Sequence, residues 1–144
     1  MKVADLIGSR SDVFAITEDT TVYDAARYMR EKRVRAVGVL DRQSKLTGVV
    51  SQSDISDQVA AENKCPAWTR VSEIMSTDLV TIQLAAALDE CLNLMEKHGF
   101  YHLLVVDEKG EFCGTISVHD LLKVIATDQK ARADMLEAFI FPPR

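Results

Sequence analysis

Two stretches of this chain carry residue types and a spacing suited to holding a ribose phosphate: Gly48-Val49-Val50-Ser51-Gln52-Ser53-Asp54 and Gly114-Thr115-Ile116-Ser117-Val118-His119-Asp120. In each, an apolar run ends at a serine, and an aspartate follows three positions later, where the first turn of a helix would lie. A helix N-terminus has unpaired backbone N–H groups and the positive end of the helix dipole, so it attracts phosphate, and a serine hydroxyl adds a donor. An ionised carboxylate only accepts hydrogen bonds, and its two oxygens suit the two hydroxyls of a cis-diol. Ser-x-x-Asp ahead of an apolar run is equally an ordinary helix capping box. A second copy with the same leading glycine raises the pair above a lone cap.

The motifs need a strand that ends at the serine and a helix that starts after it. The sequence supplies both twice. Shifted by 66 positions, the chain superimposes on itself without a gap from Val22 to about Ile55: Met29 meets Met95, Asp41 meets Asp107, Gly48 meets Gly114 and Asp54 meets Asp120. Upstream, Val3-Ala4-Asp5-Leu6-Ile7 answers Val71-Ser72-Glu73-Ile74-Met75. Residues 14–17 and 79–82 read as short entry strands. Val22, Ala25, Ala26 and Met29, and likewise Leu88, Cys91, Leu92 and Met95, fall at helix-face spacing, which gives Cys91 and both methionines a place in the core. Thr21 and Asp24 cap the first of these helices, whereas Ala87 has no side chain to cap the second. Residues 36–40 with 46–50, and 103–106 with 112–116, read as hairpins across polar turns.

Beyond Asp54 the helix is expected to run through Val59, Ala60 and Ala61 until Pro66 stops it, with Trp68 packing the two copies together. After Asp120 the last helix passes the end of the repeat. Leu121, Val124, Ala131, Met135 and Ala138 form an apolar stripe, interrupted at Asp128, before Pro142-Pro143. Such a stripe, around Met135 and Phe139, should seek a partner surface. The chain thus divides into repeats at 1–66 and 67–126 and a helical extension at 127–144.

Composition bounds the function. A formal charge of -5 argues against a nucleic-acid surface; up to Pro66 the acidic and basic residues cancel, with Arg27, Arg30, Lys32, Arg33 and Arg35 clustered there. The cysteines Cys65, Cys91 and Cys113 form no C-x-x-C pair, and the histidines His98, His102 and His119 lack metal-pair spacing. The N-terminus has no apolar signal core and no run approaches membrane-span length, so a cytoplasmic protein is expected.

Two strand-helix-strand-strand-helix units, each opening on Val-x-Asp/Glu-apolar-apolar and closing on Gly-apolar-apolar-Ser-x-x-Asp, resemble the tandem cystathionine-beta-synthase (CBS) domain pair, or Bateman module, from about Val3 to Ile125. The resemblance implies an α+β fold, a tandem of two β-α-β-β-α units whose small sheets pack together with helices outside. It also implies a homodimeric disc and an adenine-containing ligand, such as AMP, ATP, NAD or S-adenosylmethionine, in clefts between the repeats. Phosphate and ribose contacts fall to Ser51 with Asp54 and to Ser117 with Asp120. Ala15, Ile16 and Ala36 would flank the base in one site, and Thr81, Ile82 and His102 in the other. Arg35 fills the family's basic position ahead of the hairpin strand, where the second copy has Tyr101 and then His102. The family's strand proline is replaced by Gly38 and Leu104, and the arginine that often precedes the motif aspartate by Ser53 and His119. Phosphate-rich ligands are therefore expected at the first site, where Arg35 is a permanent cation. The second should take adenosine-like ligands, its imidazoles helping a phosphate less as pH rises past neutrality.

The implied function is a stand-alone regulatory module that signals occupancy to a protein target in trans, with no obligatory cofactor or metal. The alternative is a dimeric interaction scaffold whose nucleotide clefts are vestigial. Catalysis is not expected, since paired carboxylates and metal sets are absent from the pattern and Cys113 with His119 lacks an orienting group.

Overall fold

The computed structural model describes residues 1–8, 13–127 and 129–140. It has two compact units, Phe14–Leu79 and Met1–Val13 with Val80–Arg144. In the first, Ala15–Thr17 (β1), Ala36–Leu40 (β2) and Leu46–Ser51 (β3) form a sheet in the order β1-β2-β3. β1 is parallel to β2, which demands a crossover, and helix Val22–Lys32 (α2) supplies it; β2 and β3 are an antiparallel hairpin. The second unit repeats the plan with Thr81–Gln83 (β4), Leu88–His98 (α4), His102–Val106 (β5) and Phe112–Ser117 (β6). Its entry strand starts two residues later than expected: the first ladder bond runs from Leu104 N–H to the Val80 carbonyl at 3.3 Å, so Leu79 lies outside the pairing.

The repeated identities have structural reasons. Asp41 Oδ1 accepts the N–H groups of Gln43 and Lys45 at 2.8 and 2.9 Å, and Asp107 Oδ1 those of Lys109 and Glu111, both at 2.9 Å. These side-chain bonds hold both hairpin turns. Thr21 Oγ1 accepts the Asp24 N–H at 3.1 Å, whereas Ala87 gives α4 no side-chain cap. α4 buries the whole face read from its periodicity, Cys91 and Met95 included, and α2 buries Val22, Ala25 and Met29, while Ala26 is exposed at the edge of the stripe.

The opening segments complete the cores crosswise. Helix Val3–Ile7 (α1) sets the Val3 N–H on the Ala86 carbonyl and the Ala4 N–H on the Leu84 carbonyl, each at 2.9 Å, and Val3 is buried among Ile82, Leu88 and Leu103. A single 3-10 turn, Val71–Glu73, sets the Val71 N–H on the Thr20 carbonyl at 2.9 Å, and Val71 is buried among Val22, Val37 and Val50. The segment that opens each sequence repeat therefore serves the core of the other, and compact units and repeats divide the chain at different places.

Three expectations are corrected. The helix after Ser51 stays α-helical only over Gln52–Ile55 (α3), then widens into a π-helical turn, Ser56–Ala60, and the chain bends at Asn63 (φ 54°) before Pro66. In the second copy Leu121 and Val124 of α5 (Val118–Thr127) face the core; the first has polar Gln58 where Val124 stands, and the wider turn brings Val59 inward instead. Trp68 packs nothing together, being 79% exposed, because the Thr69 carbonyl takes the Val22 N–H at 2.8 Å and it is Thr69 that turns inward. Met135 awaits no partner. On α6 (Gln129–Ile140) it is buried in the same core as Leu88, Cys91 and Leu92, while Phe139 stays exposed. Asp128, Pro142, Pro143 and the Ala131 side chain lie outside the described residues.

Burial, with the Glu90 and Asp89 carboxylates beside it, pushes the Cys91 thiol up to about 12. An unfolded chain releases that proton at about 8.5, so the neutral folded thiol supports stability fully below that pH and progressively less as pH rises toward 12. The stability advantage of the native protein over Cys91→Ala should therefore shrink by about 1.4 kcal/mol per pH unit above pH 9. Urea unfolding of both proteins from pH 7 to 10.5 checks it; parallel curves would contradict a buried neutral thiol.

Candidate functional site

Each motif sits where a strand becomes a helix. Ser51 ends β3 in extended conformation (φ -122°, ψ 168°) and is the N-cap of α3. Its N–H donates to Asp54 Oδ2 at 2.8 Å and its hydroxyl to the same oxygen at 3.0 Å, while Ser51 Oγ accepts the Asp54 N–H at 3.2 Å. The second junction is built alike: Ser117 N–H and hydroxyl reach Asp120 Oδ2 at 2.8 and 3.1 Å, and Ser117 Oγ accepts the Asp120 N–H at 3.2 Å. Both motifs are thus closed capping boxes. In each, the serine contacts fall on a single carboxylate oxygen.

The sheet register gathers the other candidates around these junctions. Ala36 pairs with Ser51 and His102 with Ser117. The Arg35 carbonyl accepts the Gln52 N–H and the Tyr101 carbonyl accepts the Val118 N–H, both at 3.0 Å, which ties the residue ahead of each hairpin to the first residue of the motif helix. Sequence patterning gives no sign of this tie, since it is made by backbone. The side chains of Arg35, Tyr101 and His119 are exposed around the motifs. Ala15 and Thr81 lie farther along the sheet, opposite Gly38 and Leu104. Ile16 and Ile82 belong to the hydrophobic cores, so what they offer a ligand is backbone. Ser53 adds a second hydroxyl at the first junction, 2.9 Å from Ser51 Oγ, where the other copy has His119.

The shared glycine has a different cause in each copy. At Gly48 a Cβ would sit 2.5 Å from Met75 Sδ and 3.2 Å from the Ser76 carbonyl oxygen, because Ser76 is paired to Val49. At Gly114 the space is ordinary but φ is +139°, where only glycine is at ease. Cys113 is no nucleophile in waiting: burial first, then Asp107 and Glu111, push its thiol upward, the opposite of activation. Among the described residues no three His, Cys, Asp or Glu side chains gather for a metal, and no helix is long and apolar enough to cross a membrane.

The CBS domain model matches residues 3–61 and 71–127. The chain belongs to the CBS-domain family. It is 36% identical over 108 residues to a CBS domain-containing protein of Arabidopsis thaliana, an alignment covering 75% of this chain and 20% of that protein, so this chain spans about a fifth of that relative's length. A solved CBS-domain protein from Burkholderia ambifaria is 31% identical, with a TM-score of 0.83 over 90% of this chain and 96% of that one. A CBS domain protein from Pyrobaculum aerophilum, solved in complex with AMP, has a TM-score of 0.83 at 19% identity, covering 96% of this chain and 100% of that one; at that identity it shows the fold alone. The two mixed sheets with their helices are the tandem CBS units expected from the motifs.

Gly48→Ala should lower stability by about 1–3 kcal/mol through the clash with Met75, and the penalty should be smaller when introduced into Met75→Ala. Gly114→Ala should lose a similar amount through backbone strain, by the same amount with or without Ile7→Ala. Urea unfolding of the two cycles decides; an unchanged Gly48 penalty in the Met75→Ala background would refute the steric account.

Proposed function

We propose that this CBS pair is a regulatory module that binds an adenosine-containing ligand at its two Ser-x-x-Asp junctions and reports occupancy, as a homodimer, to a protein target in trans. The observation that carries the reading is the doubled junction: two helix N-termini, each with a serine hydroxyl, an aspartate and a neighbouring hairpin residue held in the same arrangement. The AMP complex of the Pyrobaculum protein, which shares the fold, supports the choice of ligand class.

The closed boxes suggest how binding would work. A phosphate arriving at α3 would accept the hydrogen bond that the Ser51 hydroxyl now gives to Asp54 Oδ2, and Asp54 would be left to accept hydrogen bonds from ribose hydroxyls. The oxygen Oδ1, which the serine does not contact, is the first to do so. Part of the ligand's binding energy then goes into exchanging internal hydrogen bonds for external ones. A signal follows only if the ligand favours one arrangement of the protein over another, since equal affinity for both shifts nothing. The scaffold reading draws on the same closed boxes, because a Ser-x-x-Asp capping box is an ordinary way to start a helix.

Calorimetric titration of ATP, AMP and adenosine into the native protein, Asp54→Ala and Asp120→Ala separates the readings. Loss of a carboxylate's charge-assisted bonds to ribose should weaken binding at the altered site by on the order of 30- to 1000-fold. Arg35→Ala should weaken ATP more than adenosine, because only ATP brings phosphate oxygens to pair with the guanidinium. No saturable heat with any of the three ligands would leave the scaffold reading in place.

A further inference from the structure

The two copies share backbone contacts at the start of their crossover helices. Leu88 N–H donates to the Met1 carbonyl at 3.3 Å as Val22 N–H donates to the Thr69 carbonyl at 2.8 Å, and the bridge of Lys2 with Ala87 matches that of Arg70 with Thr21. In the second copy Asp134 and the buried Met135 of α6 pack against this helix start and line a small cleft with Met1, Ala87, Leu88 and Asp89. The corresponding positions in the first copy are Thr69, Thr21, Val22 and Tyr23, and among the described residues that repeat has no counterpart of α6, so the surface around the buried Val22 and Thr69 is formed by their neighbours. What this surface exposes is aromatic. Trp68 is 79% exposed and Tyr23 50%, and Tyr23 is tied to the Trp68 segment by its N–H to the Pro66 carbonyl at 3.1 Å. Arg27 lies 5.5 Å over the Tyr23 ring, and exposed Arg30 follows it on the same face of α2. Trp, Tyr and Arg together are the residues that most often anchor protein interfaces.

The chain also carries the complement. Beyond Met135, α6 exposes Leu136, Phe139 and Ile140, which fall at i, i+3, i+4 on one face, and Glu137, three residues before Ile140, borders that face. A helix face with apolar anchors bordered by a carboxylate matches an aromatic surface with the basic Arg27 and Arg30 beside it in chemistry and in charge, and each chain has one of each. We propose that α6 of a second copy docks through Leu136, Phe139 and Ile140 on the Trp68–Tyr23 surface of the first, as Met135 already docks within its own unit. The inference rests on the proposed homodimer and names the surfaces that make it; two copies then satisfy each other reciprocally.

Light scattering and sedimentation of the native chain, Trp68→Ala and Phe139→Asp test it, with circular dichroism to show that these exposed substitutions leave the fold intact. The native protein should be a dimer at micromolar concentration, and each variant should weaken association roughly 30-fold or more. An equimolar mixture of the two variants should associate more tightly than either alone, because one keeps the aromatic surface and the other keeps α6. Trp68, the single tryptophan, should shift its emission to the blue on dimerisation in the native protein. A native dimer that both variants preserve would overturn the docking surfaces and leave the homodimer standing. A native protein that stays monomeric would overturn both, while the ligand titrations stand independently. A mixture no tighter than its components would overturn the pairing of these two faces.

Discussion

The bond from a serine N–H to an aspartate carboxylate three residues on, 2.8 Å in both copies, fixes the place where a sheet ends and a helix begins. The residues beside the motif are positioned by that junction, while Ala15, Ile16, Thr81 and Ile82 are placed by the entry strands. The serine is the last residue of a strand, so its partner across the ladder, Ala36 or His102, is set beside it. The residue after it starts a helix and draws the carbonyl of Arg35 or Tyr101 onto its N–H. A capping box and a phosphate-binding turn use the same donors, so the fold stabilises without ligand the arrangement that a ligand would need. A bound phosphate and ribose would compete with the cap for one hydroxyl and one carboxylate.

Around this junction the chain economises by exchange. The opening segments Val3–Ile7 and Val71–Glu73 each close the core built by the other repeat, which makes neither repeat complete by its own sequence. The close approach of Met75 and Ser76 to β3 is the other consequence, and it is what demands glycine at position 48. The symmetry stops at the C-terminus, where α6 covers the second copy and leaves the matching surface of the first, with Trp68 and Tyr23, open.

Most of the fold was legible because it is written in periods. Strand alternation, the helix faces around Met29 and Met95, the turn aspartates and the 66-residue offset are local patterns, and local patterns survive without knowledge of the tertiary structure. Where the chain depends on what meets what across the fold, pattern fails. Nothing in a lone glycine separates a steric demand at Gly48 from a backbone demand at Gly114. The π-turn after α3 answers a single polar substitution, Gln58 in place of Val124, which helix propensity does not register. Trp68 was expected to pack the two copies together from its place in the bridge between them, yet it is exposed and the neighbouring Thr69 is buried instead. Met135 belongs to an apolar stripe that reads the same whether its partner is another chain or its own core. In the candidate site, the capping contacts of Ser51 with Asp54 and of Ser117 with Asp120 follow from spacing. The backbone tie at Arg35 and Tyr101 does not.

The central claim is that each junction trades its internal hydrogen bonds for those of a nucleotide. Amide nitrogen–proton spectra recorded while AMP is titrated into the isotopically labelled protein report it directly, through the Ser51, Asp54, Ser117 and Asp120 backbone signals. The account predicts saturable shifts of the Ser51 and Asp54 pair, of the Ser117 and Asp120 pair, or of both, larger than those at the hairpin turns of Asp41 and Asp107. Spectra in which none of these four amides moves while AMP is in large excess would contradict it.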